Sequence, residues 1–211
     1  MKYFKNWVSG IFVMICMVAL SSLMVINMVF VYDWVIGRYH LVEVTGVSRA
    51  SLLENYWVII KYVQLPWIPE LHMPDFIMSE TGRIHFEEVK VIFLVLYVFL
   101  IVGIIFWVAS LIKKRSVLPV LNRGANLTMI IFFLLTCFIL FDFSTAFVWF
   151  HHLFFNNDYW LFHPLFDPVI LALPEELFLI KGFLIIGILF IFCLTIKVLH
   201  RHYHSNNRLR A

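Results

Sequence analysis

The chain has 211 residues, of which 63% are hydrophobic and only 14% charged, with a formal net charge of +3 and a mean hydropathy of +0.92. That composition excludes a water-soluble globular domain and places the chain in a bilayer. The small positive balance is spread over separate segments and forms no basic face, so it reads as a topology signal and implies no nucleic-acid partner.

A helix needs about 20 apolar residues to cross a hydrocarbon core of roughly 30 Å. Four stretches qualify, and the sequence predicts an all-α polytopic membrane protein. The first span is 7–32, within a run that holds no Asp, Glu, Lys, Arg or His. It is about twice as long as a signal-peptide core, so it reads as a retained anchor. Cys16 has Ile15 before it where a lipobox would need a small residue, and Cys137 and Cys193 also fall in predicted spans without CxxC spacing. All three cysteines read as small buried apolar residues.

Residues 33–85 follow as a small extracellular cap of mixed character. Ser51-Leu-Leu-Glu54 has the pattern of a capping box. After it Leu52, Tyr56, Ile59, Ile60 and Val63 recur at helical spacing, until Pro66 and Pro69 end the segment. The stretch LHMPDFIMSETGRIHF, bounded by prolines and the Ser79-Glu80-Thr81-Gly82 turn signal, predicts a hairpin-like segment. The second span is 86–112, followed by a cytoplasmic loop 113–124, a third span 125–150, an extracellular loop 151–174, a fourth span 175–197 and a cytoplasmic tail 198–211. Lys181 lies about one turn inside the fourth span, where its stem can snorkel.

Orientation follows from the charges. Lys2 and Lys5, then Lys113, Lys114, Arg115 and Arg123, then Lys197, Arg201, Arg208 and Arg210 mark both termini and the middle loop as cytoplasmic by the positive-inside rule. All thirteen Asp and Glu lie in the two outer segments or near the outer ends of spans. Any chemistry is therefore expected on the extracellular side of the membrane.

Polar groups held at a membrane are costly unless paired, which singles out three places. His85 opens the second span, with Glu88 three residues on and so on the same helical face, able to fix the imidazole tautomer. Alternatively Glu87, Glu88 and Lys90 simply mark a solvated helix start. His151 and His152 end the third span. At ~100° per residue Asp142 is better placed to serve His152 than His151, and either ring can instead belong to an interfacial belt with Trp149, Phe150, Phe154 and Trp160. No GxSxG, HExxH, Walker A or GxGxxG signature occurs.

Taken together, NYWVIIKYV in the cap, GRIHFEEVK entering the second span, WFHHLFFNNDYWLF, and LPEELF before the fourth span resemble the lipoprotein intramolecular transacylases of Gram-positive bacteria. The resemblance covers essentially the whole chain. It implies transfer of the sn-2 acyl chain of a diacylglyceryl-cysteine lipoprotein to the α-amino group of the same cysteine, giving the N-acyl, lyso form. It also implies diacylated lipoproteins and membrane lipids as partners, no metal and no cofactor.

The family's H-x-x-D/E-V histidine falls on His85 and its F-H-x-x-F-F histidine on His151, so His85 and His151 are the expected catalytic pair. Glu88 stands where Asp is usual, and His152 occupies a variable position, so Glu88, His152 and Asp142 are expected to support. Trp149, Phe154, Phe155, Asp158 and Trp160 are expected to line the substrate site. An α-amine with a pKa of about 8 is partly neutral near pH 7, and amine and ester sit in one molecule, so no enzyme nucleophile is required. The expectation is His85 as general base and His151 as oxyanion stabiliser or leaving-group acid, with ping-pong transfer through an acyl-histidine as the competing route. Two other functions fit the residues without the resemblance: a metal-dependent membrane hydrolase liganded by His85, Glu88, His151 and His152, and a non-enzymatic lipid- or peptide-binding protein.

Overall fold

The computed structural model describes residues 2–208; Arg210, one of the charges used for orientation, lies outside them. Among these residues the regular secondary structure is all helical, as α1 (Lys2–Ile26), α2 (Val29–Arg38), α3 (Leu41–Thr45), α4 (Arg49–Gln64), α5 (Glu80–Ile112), α6 (Leu118–Phe141), α7 (Phe143–Phe154), α8 (Val169–Ala172) and α9 (Glu175–Arg208). Four helical stretches are long and apolar enough to cross a membrane: Trp7–Ile26, Glu80–Ile112, Leu118–Phe141 and Glu175–Tyr203. The protein is therefore a multi-pass membrane protein.

Two compact units divide the chain. One comprises Met1–Leu23, Leu96–Phe141 and Phe183–Ala211. Lipid gives helices no hydrophobic reason to associate, so close approach through small residues takes over. Ala19, Ser21, Ala125 and Cys193 are buried, and a Cβ on Gly124 would lie 2.3 Å from Val13 Cγ1. The buried hydroxyls close onto their own helices, Ser21 donating to the Met17 carbonyl at 2.9 Å and Thr128 to that of Gly124 at 2.9 Å, so neither is left unpaired in an apolar surrounding.

The other unit comprises Met24–Val95 and Asp142–Gly182. Its core gathers Tyr32, Val35 and Ile36 of α2, Leu41 of α3, Val169 and Ala172 of α8, Phe86 of α5 and the face of α4. That face is the one the spacing predicted: Leu52, Tyr56, Ile59, Ile60 and Val63 are all buried. The start of α4 differs. Ser48 is the N-cap, its hydroxyl accepting from the Ser51 amide, so the helix begins a turn before the Ser51-x-x-Glu54 pattern. Tyr32 stacks on Tyr56 with ring centroids 4.1 Å apart and donates its hydroxyl to the Ala172 carbonyl.

The hairpin-like segment expected over LHMPDFIMSETGRIHF, residues 71–86, does not form. Pro74 within it lacks the N–H that a ladder requires, and no described residue is in a strand. Side chains tie the irregular 65–79 segment down instead. Asn55 donates to Asp75 at 2.6 Å and accepts from its amide, while Lys90 donates to the Ile68 carbonyl. The Ser79–Gly82 stretch is a helix start rather than a hairpin turn, since Ser79 Oγ accepts from the Gly82 amide.

The segment 125–150 is two helices. Asp142 adopts extended backbone between α6 and α7, and its carboxylate accepts from both the amide and the hydroxyl of Thr145. An aspartate N-cap ends one helix and begins another.

At the start of α5 the buried carboxylate of Asp167, 3% exposed, accepts from the Ser79 amide and hydroxyl, each at 2.8 Å. A Cβ on Gly82 would lie 2.3 Å from Asp167 Oδ1. Gly82→Ala must therefore displace a carboxylate held by two hydrogen bonds, and it should lower stability by about 1–3 kcal/mol. Gly37→Ala, with nothing within 4 Å, should be neutral or stabilising. Thermal unfolding of the purified protein in detergent reads both; equal melting temperatures for the two variants would contradict this packing.

Candidate active site

His85 lies in the second turn of α5 and His151 in the last turn of α7. Both are nearly buried, 9% and 8% exposed, and their ring centroids are 6.0 Å apart at an interplanar angle of 36°. Residues 66 apart in sequence thus meet in one cluster of aromatic rings, called the chamber below. Phe155 meets the His85 ring edge-on at 4.7 Å and Phe162 does so at 5.5 Å. Trp160 stacks on His151 at 4.5 Å, and Phe147 lies 4.2 Å from the same ring.

The tautomer of His151 follows from its partner. Nδ1 lies 2.7 Å from the carbonyl oxygen of Phe147, one turn back on α7. A carbonyl can only accept, so the proton is on Nδ1 and the neutral ring presents the Nε2 lone pair. Burial pushes the His151 pKa below its ordinary value, against the opposing effect of the Phe147 hydrogen bond, and the neighbouring His152 adds to the depression. His85 is held differently: its Nδ1 is buried and has no hydrogen-bond partner.

The loop after α7 is fastened to α5 through Asn157. Its Nδ2 donates to Glu88 Oε1 at 2.8 Å, its Oδ1 accepts from the Tyr159 amide, and its carbonyl accepts from Trp160 Nε1 at 3.1 Å. One asparagine therefore sets both the position of the Trp160 indole over His151 and the direction of the Glu88 carboxylate. Glu88 Oε2 is also buried without a partner.

A family model described as lipoprotein intramolecular transacylase Lit matches residues 7–178. The chain belongs to the lipoprotein intramolecular transacylase family. The solved structure of the membrane integral transacylase Lit from Bacillus cereus is similar at 30% identity, covering 97% of this chain and 96% of that one with a TM-score of 0.87. Variants of that protein carrying an H85R or an H85A mutation, in its own numbering, match with TM-scores of 0.79 and 0.78 at 30% identity, covering 98% and 97% of this chain and 93% and 94% of those. No curated protein sequence matches. Family membership makes the chain an acyltransferase.

The structure sorts the residues expected in a transacylase site. His85, His151, Glu88, Phe155 and Trp160 come together. His152 is exposed and meets the edge of Trp160, at 5.6 Å. Asp142 serves neither histidine, because its carboxylate caps α7. Trp149 is 66% exposed, and Phe154, 51% exposed, lies against Phe150. Asp158 is exposed, and its backbone carbonyl, accepting from Leu161, makes its contact. Among the described residues no three His, Cys, Asp or Glu side chains are grouped so that they could hold a metal ion. Sequence reasoning missed Phe147, Asn157 and Phe162. The Asn156-Asn157-Asp158 turn among aromatics was the available signal for Asn157; a backbone carbonyl leaves none.

In protein labelled at histidine, the His151 ring should be neutral at pH 7 with its proton on Nδ1, and should titrate below about 6.5, the ordinary imidazole value. Nitrogen chemical shifts across a pH series read this. Titration above that value, or a proton on Nε2 in the neutral ring, would contradict the Phe147 hydrogen bond.

Proposed function

We propose that this chamber moves the sn-2 acyl chain of a diacylglyceryl-cysteine lipoprotein onto the α-amino group of the same cysteine, leaving the N-acyl, S-monoacylglyceryl form. The observation that carries the reading is the pair of buried imidazoles 6.0 Å apart, one with its tautomer fixed.

The hydrogen bonding favours His151 as general base and His85 as the donor to the oxyanion and leaving group, the reverse of the roles expected from sequence. Neutral His151 has an Nε2 lone pair to take the proton from the amine as nitrogen attacks. On His85, a proton at the buried, unpartnered Nδ1 would leave a donor unsatisfied. The cheaper neutral tautomer carries it on Nε2, which can donate to the carbonyl oxygen as it gains charge. The new C–N bond forms, the C–O bond to the sn-2 position breaks, and the departing alkoxide becomes the free hydroxyl by taking the proton that His151 received from the amine, passed on through His85, so that both imidazoles end neutral. A second proton from the original ammonium goes to solvent.

Both reacting groups belong to one substrate, so the site needs to hold them together rather than capture a second molecule. Phe147, Phe155, Trp160 and Phe162 support this by giving the glyceryl and acyl groups apolar walls. The distribution of Lys and Arg supports cytoplasmic termini and an extracellular chamber, which puts the histidines near the ester depth of an outer-leaflet lipid.

Mass spectrometry of lipoprotein amino termini tests the proposal in cells lacking any other such activity. Expression of the wild-type chain should produce N-acyl, S-monoacylglyceryl cysteine. His85→Ala and His151→Ala should each lower it at least about a hundredfold at equal protein level, and His152→Ala should leave most of it. An active His151→Ala with an inactive His152→Ala would overturn the assignment.

A further inference from the structure

We infer that Glu88 is the seat of the substrate's α-ammonium group, aimed into the chamber by Asn157. The motif spacing suggested a different role, that of orienting His85, and the geometry speaks against it. His85 Nδ1 and Glu88 Oε2 lie one turn apart on one face of α5, and both are buried without any hydrogen-bond partner. They therefore do not bond to each other. A buried carboxylate oxygen left unpaired costs on the order of 1–3 kcal/mol or more, so it marks a position where a ligand group completes the bonding.

The missing group is a cation with N–H donors. Asn157 already satisfies Oε1 with a neutral donor at 2.8 Å and thereby fixes the plane of the carboxylate. The basic side chains nearest along α5 are committed elsewhere. Arg83 pairs with Glu80 and Glu87, and Lys90 donates to the Ile68 carbonyl over the Tyr62 ring. Lys181 of α9 donates to the carbonyls of Val25 and Ile26. Among the described residues no cation is bonded to Glu88, whose Oε1 takes Asn157 and whose Oε2 has no partner.

The substrate of the proposed reaction brings one primary ammonium to this chamber, and that reading supplies the identity of the cation. With the ammonium held by Oε2, one N–H can face His151 while the carboxylate keeps the nitrogen from drifting toward water. Glu88 is in this account a positioning and specificity residue: it selects a free amino terminus and takes no part in bond making.

Binding of two non-reactive probes to the protein in lipid nanodiscs tests the seat separately from the chemistry. Both are dialkylglyceryl-cysteine peptides with ether links in place of esters, one with the free α-amine and one with hydrogen in its place. The wild-type protein should bind the amine probe about tenfold or more tightly than the des-amino probe, as expected for a charge-assisted hydrogen bond. Glu88→Gln keeps the acceptor for Asn157 and removes only the charge. It should bind the two probes equally, with an unchanged melting temperature, and Glu88→Asp should recover part of the preference. A Glu88→Gln protein that still prefers the amine probe as the wild type does would overturn the seat and leave Glu88 as a tether for Asn157. Absence of N-acylated product from ester substrates, with the amine preference intact, would instead overturn the transacylase chemistry while leaving the seat standing.

Discussion

The site depends on how the loop between α7 and α8 is tied to the first turns of α5. Asp167 takes the amide and hydroxyl of Ser79 at the helix start, and Asn157 takes Glu88 one turn beyond His85. Between these two fastenings lie Trp160 and Phe162, which close over the two imidazoles. Neither bond contributes much alone, since a net hydrogen bond is worth about 1 kcal/mol. Their effect is geometric: a histidine on α5 and one on α7 are brought to one chamber by a loop that would otherwise be free to leave it.

Enclosure by aromatic rings has chemical consequences. A low-dielectric surrounding strengthens each remaining electrostatic interaction, and burial disfavours the charged form of His151, lowering its pKa from the ordinary value. The Phe147 carbonyl then decides which nitrogen carries the proton, and so which nitrogen can act as a base. The same enclosure makes unpaired atoms conspicuous. His85 Nδ1 and Glu88 Oε2 face each other's turn without bonding, an arrangement suited to a substrate that brings its own polar groups.

Much of this was legible in the sequence, for identifiable reasons. Spans announce themselves by length and apolarity because lipid tolerates little else, and the buried face of α4 showed in the 3.6-residue spacing of Leu52 to Val63. The order of His85 and His151 was carried by family motifs. Other features were hidden. Extended chain bounded by prolines reads as a hairpin until one asks where the ladder donors are, and Pro74 removes one of them. Counting angles from Asp142 to the paired histidines assumed one continuous helix, whereas Asp142 itself interrupts it and resets the phase. The partner of His151 is a main-chain carbonyl, which no side-chain pattern records.

The central claim is transfer within one molecule, through a chamber that assists the substrate's own amine and ester. Two lipopeptide substrates, one with isotopically heavy acyl chains and the other with a heavy peptide, can be mixed and exposed to the enzyme, and the products weighed. The account predicts that each N-acyl chain stays with the peptide it arrived on, with no mixed species at any substrate concentration. Scrambled products, heavy chains on heavy peptides, would contradict it and point to an acyl-histidine that passes the chain between molecules.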